Sequence, residues 1–284
     1  MLEMFSQYAP DDVVVVHQKG ELTRHEFRKL VNLRVSRYTE LQLEPGARVL
    51  LLLPNSLELL VSYYACIAAG LVAVPVNVRM SISEILRVAE HAGPELVVSS
   101  EDSATRLELV EFFQECEVDV LENLQDQLGS IADAAVDDVV WPALHPVAIF
   151  YTSGSTGNPK GVVYSHKTLR QYSKMMQAQF GLDSSDRSVV CHCLAQNFGF
   201  AQLCVPFLDG GGSVHIVDFA SAAQTADALA SAVTFLRLVP WFAPELLQYC
   251  LENDVEAPLL RTVIIGGDRV QKRIFELCRK ALGI

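Results

Sequence analysis

The sequence predicts an α/β fold in which mostly parallel strands are covered on both faces by helices. Three observations carry that expectation. Its apolar stretches are short and unbroken, such as Val13-Val14-Val15-Val16, Val49-Leu50-Leu51-Leu52 and Val263-Ile264-Ile265, as strands buried on both faces require. Between them lie segments of helical periodicity that open on capping pairs, Thr23 with Glu26 and Ser81 with Glu84. The two kinds of segment alternate along the 284 residues, the order of parallel strands joined by crossover helices.

Taken in order, residues 12–22 read as a hairpin turning at Gln18-Lys19-Gly20. Thr23 opens a helix through Phe27, Leu30, Val31 and Val35 toward Leu41, and residues 48–53 form a solid apolar strand. Asn55 and Glu58 form a pair like a capping box for a helix over 56–69, which Gly70 stops before a strand at 71–74. The run 59–78 is uncharged, and is the only membrane candidate. As helix, residues 56–69 reach only about 21 Å, short of the roughly 30 Å of a hydrocarbon core, and Pro75 breaks any continuation. A buried helix followed by a strand fits better than a membrane span. Ser81 caps a helix through Ile85, Leu86 and Ala89, and 96–98 is the next strand. Residues 101–146, with Asp133, Asp137 and Asp138, read as a surface excursion.

Further on, Ser165 caps a helix from His166 toward Phe180, which makes His166 a helix-start residue rather than a base. Strands follow at 188–192, 211–217, 234–238 and 262–265, with a helix at 222–232 and another carrying Pro240 in its first turn.

Composition excludes several classes. Lys and Arg number 22 against 34 Asp and Glu, and the formal charge of -12 argues against a nucleic-acid or anionic-membrane surface. The seven cysteines lie mostly in apolar surroundings without zinc-ribbon spacing, as reduced, buried thiols of a cytoplasmic protein would. Alternation along a strand would point Cys191 and Cys193 to one face and His192 to the other, which disfavours a metal site. No secretory leader pattern opens the chain.

The most informative stretch runs from Ile149-Phe150-Tyr151 through Thr152-Ser153-Gly154-Ser155-Thr156-Gly157-Asn158-Pro159-Lys160-Gly161 to Val162-Val163-Tyr164. Glycines let the backbone approach a ligand closely and converge N–H groups on anionic oxygens, and hydroxyls add donors. Lys160 supplies a full charge, so the stretch suits a polyphosphate cradle. An ordinary phosphate loop is excluded by spacing, because Pro159 precedes the lysine and Gly161 follows it. A flexible linker fits poorly between two apolar runs.

Residues 151–162 resemble the nucleotide-phosphate loop of the adenylate-forming superfamily, which includes acyl- and aryl-CoA ligases, nonribosomal-peptide adenylation domains and firefly-type luciferases. Pro54-Asn55-Ser56, the Gly70, Pro75 and Asn77 spacing, Ser165-His166, Phe198-Gly199 and Gly266-Gly267 extend the likeness over nearly the whole chain. The resemblance implies two stacked, mostly parallel sheets flanked by helices, as in the large N-terminal domain of these enzymes. Residues 1–170 would form a first α/β subdomain ending in the phosphate loop, and 171–284 a second, truncated one.

It also implies a chemistry: a carboxylic acid is activated by ATP as acyl-AMP and passed to a thiol. Thr152, Ser153, Gly154, Ser155, Thr156, Gly157 and Lys160 would hold the phosphates, with Lys160 the catalytic cation near the departing pyrophosphate. Gln196, Asn197, Phe198 and Gly199 would form the acid pocket, and Gly266, Gly267 and Asp268 would lie beside the adenine. Gln196 stands where relatives carry His, or Asp to pair a substrate ammonium. A neutral amide cannot balance that charge, so a fatty, aryl or similar acid without an α-amino group is expected. CoA is the expected acceptor, and a carrier-protein phosphopantetheine the alternative. The superfamily's Tyr-Gly-x-Thr-Glu stretch, which supplies the Mg²⁺ ligand, and its C-terminal lid have no match through Ile284, so the chain alone is expected to be inactive. A noncatalytic nucleotide- or partner-binding module is the competing expectation.

Overall fold

The computed structural model describes residues 3–107, 111–114, 116–121, 123–130, 139–152 and 159–283. The chain opens with α1 (Met4–Gln7), the hairpin β1 (Val13–His17) and β2 (Gly20–Thr23), and α2 (Arg24–Glu40). It continues through β3 (Arg48–Leu52), α3 (Leu57–Ala69), β4 (Val72–Pro75), α4 (Ile82–Ala92) and β5 (Leu96–Ser99). The short helices α5 (Glu101–Leu107) and α6 (Glu111–Gln114) lead to β6 (Val118–Val120), then β7 (Pro146–Thr152), β8 (Lys160–Ser165) and α7 (His166–Phe180). After β9 (Arg187–Val190), a π-helical stretch, Phe198–Cys204, runs into α8 (Val205–Asp209). The remainder is β10 (Ser213–Ile216), α9 (Ala222–Ser231), β11 (Phe235–Leu238), α10 (Ala243–Glu252), β12 (Thr262–Ile265) and α11 (Lys272–Leu282).

The strands form two six-stranded sheets, one ordered β6-β5-β3-β4-β7-β8 and the other β12-β11-β9-β10-β1-β2. Every pairing is parallel except the two hairpins, β1 with β2 and β7 with β8. Period-two alternation explains the unbroken apolar runs. Val49 and Leu51 pack into the cluster between the sheets, together with Tyr63 and Tyr64 of α3, while Leu50 and Leu52 pack on the opposite face against Ile85 and Val88 of α4. In the other sheet Phe235 faces inward and Leu236 and Leu238 face α9, α10 and α11. The expected stacked, mostly parallel sheets with flanking helices are therefore present, and α3 is enclosed between them.

Several sequence expectations change. The cap of α3 is Ser56, whose hydroxyl accepts the Leu59 N–H, and not Asn55, which is drawn away to the second sheet. α10 starts at Ala243 with Pro244 in its first turn, leaving Pro240 in the preceding turn. β9 ends at Val190, so alternation does not govern Cys191 to Cys193. The segment 101–146 is not wholly a surface excursion: β6 joins β5 as an edge strand, held by the Arg34 to Asp119 ion pair at 2.5 Å. The division at about residue 170 also differs from the division between sheets, because β1 pairs with β10. Both capping boxes form, at Thr23 with Glu26 and Ser81 with Glu84. Among the described residues no helix is long and apolar enough to cross a membrane.

Candidate functional site

β7 and β8 are antiparallel, with Thr152 paired to Lys160, so the Ser/Thr/Gly stretch is the connection of a hairpin at the sheet edge. Ser153, Gly154, Ser155, Thr156, Gly157 and Asn158 lie outside the described residues. A side chain at Gly161 would place its Cβ 2.7 Å from Ile149 Cγ2 and 3.2 Å from Tyr151 Cζ, so glycine is what lets the Tyr151 ring cross over its partner strand. The Tyr151 hydroxyl meets His91 Nδ1 of α4 at 2.8 Å, and burial raises the Tyr151 pKa. Lys160 is exposed at the start of β8.

A cleft of about 370 Å³ joins the base of this connection to the segment that follows β9. Tyr151, Thr152 and Pro159 line it together with Ala195 and Gln196, and Asn77 and Arg87 contribute as well. Gln196 is exposed there, at the start of the turn that leads into the π-helical stretch. Thr152 and Gln196, distant in sequence, thus line one cavity. Gly266, Gly267 and Asp268 do not line it. They follow β12, where Gly266 N–H donates to Leu238 O at 3.0 Å, Gly267 adopts a positive φ of 92° and exposed Asp268 accepts from the Arg269 N–H.

Gly199 and Phe198 have separable roles. A Cβ on Gly199 would lie 2.3 Å from Cys193 O, so glycine permits the helical stretch to pack onto the Cys193 to Leu194 backbone. Phe198 is half-buried and receives the His192 ring edge-on at 4.7 Å and the Arg237 guanidinium over its face at 4.8 Å. Burial pushes the His192 pKa down to about 4, and its Nε2 lies 3.1 Å from Arg237 O, so the ring is neutral at pH 7 and Nε2 donates to that carbonyl. His166, at the first position of α7, is likewise pushed down to about 4 by burial and faces His145. Among the described residues no group of three or more His, Cys, Asp or Glu side chains could hold a metal ion.

Sequence reasoning misassigned Asn55 and missed His91 and Arg237. Each acts across elements far apart in the chain, and only the Pro-Asn-Ser match hinted at the first.

The sequence profile of the AMP-binding enzyme family matches residues 2–284. The chain belongs to this family. It is 27% identical over 272 residues to the uncharacterised acyl-CoA ligase YhfT of Bacillus subtilis (strain 168), covering 93% of this chain and 53% of the ligase. It is 27% identical over 281 residues to a dimodular nonribosomal peptide synthase of the same strain, covering 95% of this chain and 12% of the synthase. The apo structure of MatB from Rhodopseudomonas palustris superposes with a TM-score of 0.85 at 21% identity, covering 100% of this chain and 57% of MatB, which shows a shared fold. The chain therefore spans about half the length of the ligase relative, and this AMP-binding chain shares the two-sheet architecture of adenylate-forming N-terminal domains.

Proposed function

We propose that the protein containing this chain is an acid ligase that activates an amine-free carboxylic acid as acyl-AMP and transfers the acyl group to a thiol, CoA by preference. The observation that carries this reading is the shared cleft: the base of the hydroxyl- and glycine-rich hairpin and Gln196 line the same cavity. One carboxylate oxygen attacks the α-phosphorus of ATP, a C–O–P linkage forms, and the bond to the bridging oxygen breaks with its electron pair leaving on pyrophosphate. A thiolate then attacks the acyl carbon and AMP departs.

Thr152, Ser153, Gly154, Ser155, Thr156 and Gly157 hold the phosphates in this reading, and Lys160 neutralises charge developing on pyrophosphate. Positioning and charge neutralisation of this kind dominate phosphoryl chemistry. Gln196, Asn197, Phe198 and Gly199 shape the acid side, and Gly266, Gly267 and Asp268 the adenine side. The Arg237 cation beside Phe198 reinforces the preference for acids without an ammonium. Among the described residues no cluster of three or more His, Cys, Asp or Glu side chains could hold a metal ion by itself.

Acid-dependent pyrophosphate exchange into ATP by the complete protein tests the reading, with Lys160→Ala lowering the rate on the order of a hundredfold. Undiminished exchange in that variant would remove Lys160 from the mechanism. The peptide-synthase relative supports a second acceptor, a carrier-protein phosphopantetheine. Comparing CoA with a phosphopantetheinylated carrier as acceptor separates the two.

A further inference from the structure

Arg237 is a half-buried arginine whose charge no carboxylate among the described residues answers. It stands on β11 opposite Ile264 of β12. Its Nη1 donates to the Tyr172 hydroxyl at 3.3 Å, its guanidinium lies over Phe198, and its Nε is shielded from water without a hydrogen-bond partner. No carboxylate among the described residues pairs with it. Other arginines withdrawn from solvent have anions: Arg34 meets Asp119 at 2.5 Å, and the buried Arg24 has Asp12 at 3.9 Å as well as three main-chain acceptors.

A guanidinium taken out of water without an anion is unfavourable, and a cation-π contact offsets only part of that. Phe198, the ring beneath it, belongs to the segment read as the acid pocket. We infer that the missing anion arrives with the substrate: the acid is a dicarboxylic acid, whose reacting carboxylate faces the phosphate hairpin and whose second carboxylate is held by Arg237. The Tyr172 hydroxyl accepts from Nη1, and no hydrogen bond from Nη2 forms among the described residues, so a donor remains for a carboxylate. Arg237 is then a specificity-determining residue. This rests on the acid-ligase reading and narrows its substrate class, replacing a simple fatty acid with one charged at both ends.

The test uses the complete protein and matched pairs of acids, succinate with butyrate, glutarate with pentanoate and adipate with hexanoate, in pyrophosphate exchange. At least one diacid is expected to exceed its matched monoacid tenfold or more in kcat/KM. Arg237→Leu should abolish or reverse that ratio, on the order of a hundredfold, through KM for the diacid and with KM for ATP unchanged. Arg237→Lys should recover part of the preference, and Tyr172→Phe, which keeps the charge but frees Nη1, should raise KM for the diacid several-fold. Equal or better use of monoacids by the unaltered protein overturns the inference. So does a diacid preference that Arg237→Leu leaves in place, which would mean that the guanidinium is paired elsewhere in the complete protein. Exchange of monoacids alone leaves the ligase reading standing, whereas exchange with no acid refutes that reading and this one with it.

Discussion

Asn55 Oδ1 accepts the Leu194 N–H at 2.8 Å, across the junction of the two sheets. The same side chain donates from Nδ2 to His192 O at 2.8 Å and Val217 O at 3.2 Å, and the Tyr63 hydroxyl donates to Leu194 O at 3.0 Å. Both main-chain polar groups of Leu194 are therefore held by residues that follow β3, two positions before Gln196. The segment read as the acid pocket is tied to the sheet that carries the β7–β8 hairpin.

Removing that tie has a defined cost. Asn55→Ala leaves one N–H and two carbonyls without their partner, and is expected to lower unfolding stability by about 3 kcal/mol. Asn55→Asp is expected to be no milder, because a carboxylate still accepts from Leu194 but turns its lone pairs toward two carbonyls. In the complete protein both variants should raise KM for the acid more than KM for ATP. Denaturant titration and exchange kinetics check both effects, and wild-type stability in Asn55→Asp would show that the two donor bonds contribute nothing.

Gly199 is required by contact and not by a left-handed backbone. Gly199→Ala would force its Cβ to within 2.3 Å of Cys193 O unless the helical stretch moves. Overpacking of this kind costs typically about 1–3 kcal/mol. Thermal unfolding should show the loss, and a displaced Phe198 should appear as a raised KM for the acid.

Stability should fall on mild acidification. Burial lowers the pKa of both His192 and His215 from 6.5 to about 4. Between those values the unfolded chain binds more protons than the native one, so stability is lost as pH falls from 6.5 toward 4, on the order of 3 kcal/mol per histidine once both states are protonated. Denaturation midpoints at pH 7 and pH 4.5 measure the slope, and His215→Asn should flatten it.

The Arg34 to Asp119 pair anchors the edge strand β6 to α2, with side chains only 6% and 14% exposed. Arg34→Ala strands a largely buried carboxylate, which Arg37 at 3.7 Å compensates in part, and should cost about 3 kcal/mol. Adding Asp119→Leu should recover much of that loss in a double-mutant cycle.

Local signals decided much of this protein in advance. Period-two and helical patterning, capping boxes at Thr23 and Ser81, the αL stop at Gly70 and the hairpin residues around Thr152 to Lys160 act over a few positions, and they placed most elements within one or two residues. Asn55 was misassigned for the same reason. Its capping spacing is a local feature, but its partners His192, Leu194 and Val217 lie more than a hundred residues away. Short-range energetics are written in neighbouring residues, and pairings between distant segments are chosen only when the sheets stack and each buried polar group must find an answer. Stacking brought Gln196 to the cleft beside Thr152, gave β6 its place through Asp119, and set Arg237 beside Phe198 with no counter-ion among the described residues, which no spacing along the chain foretells.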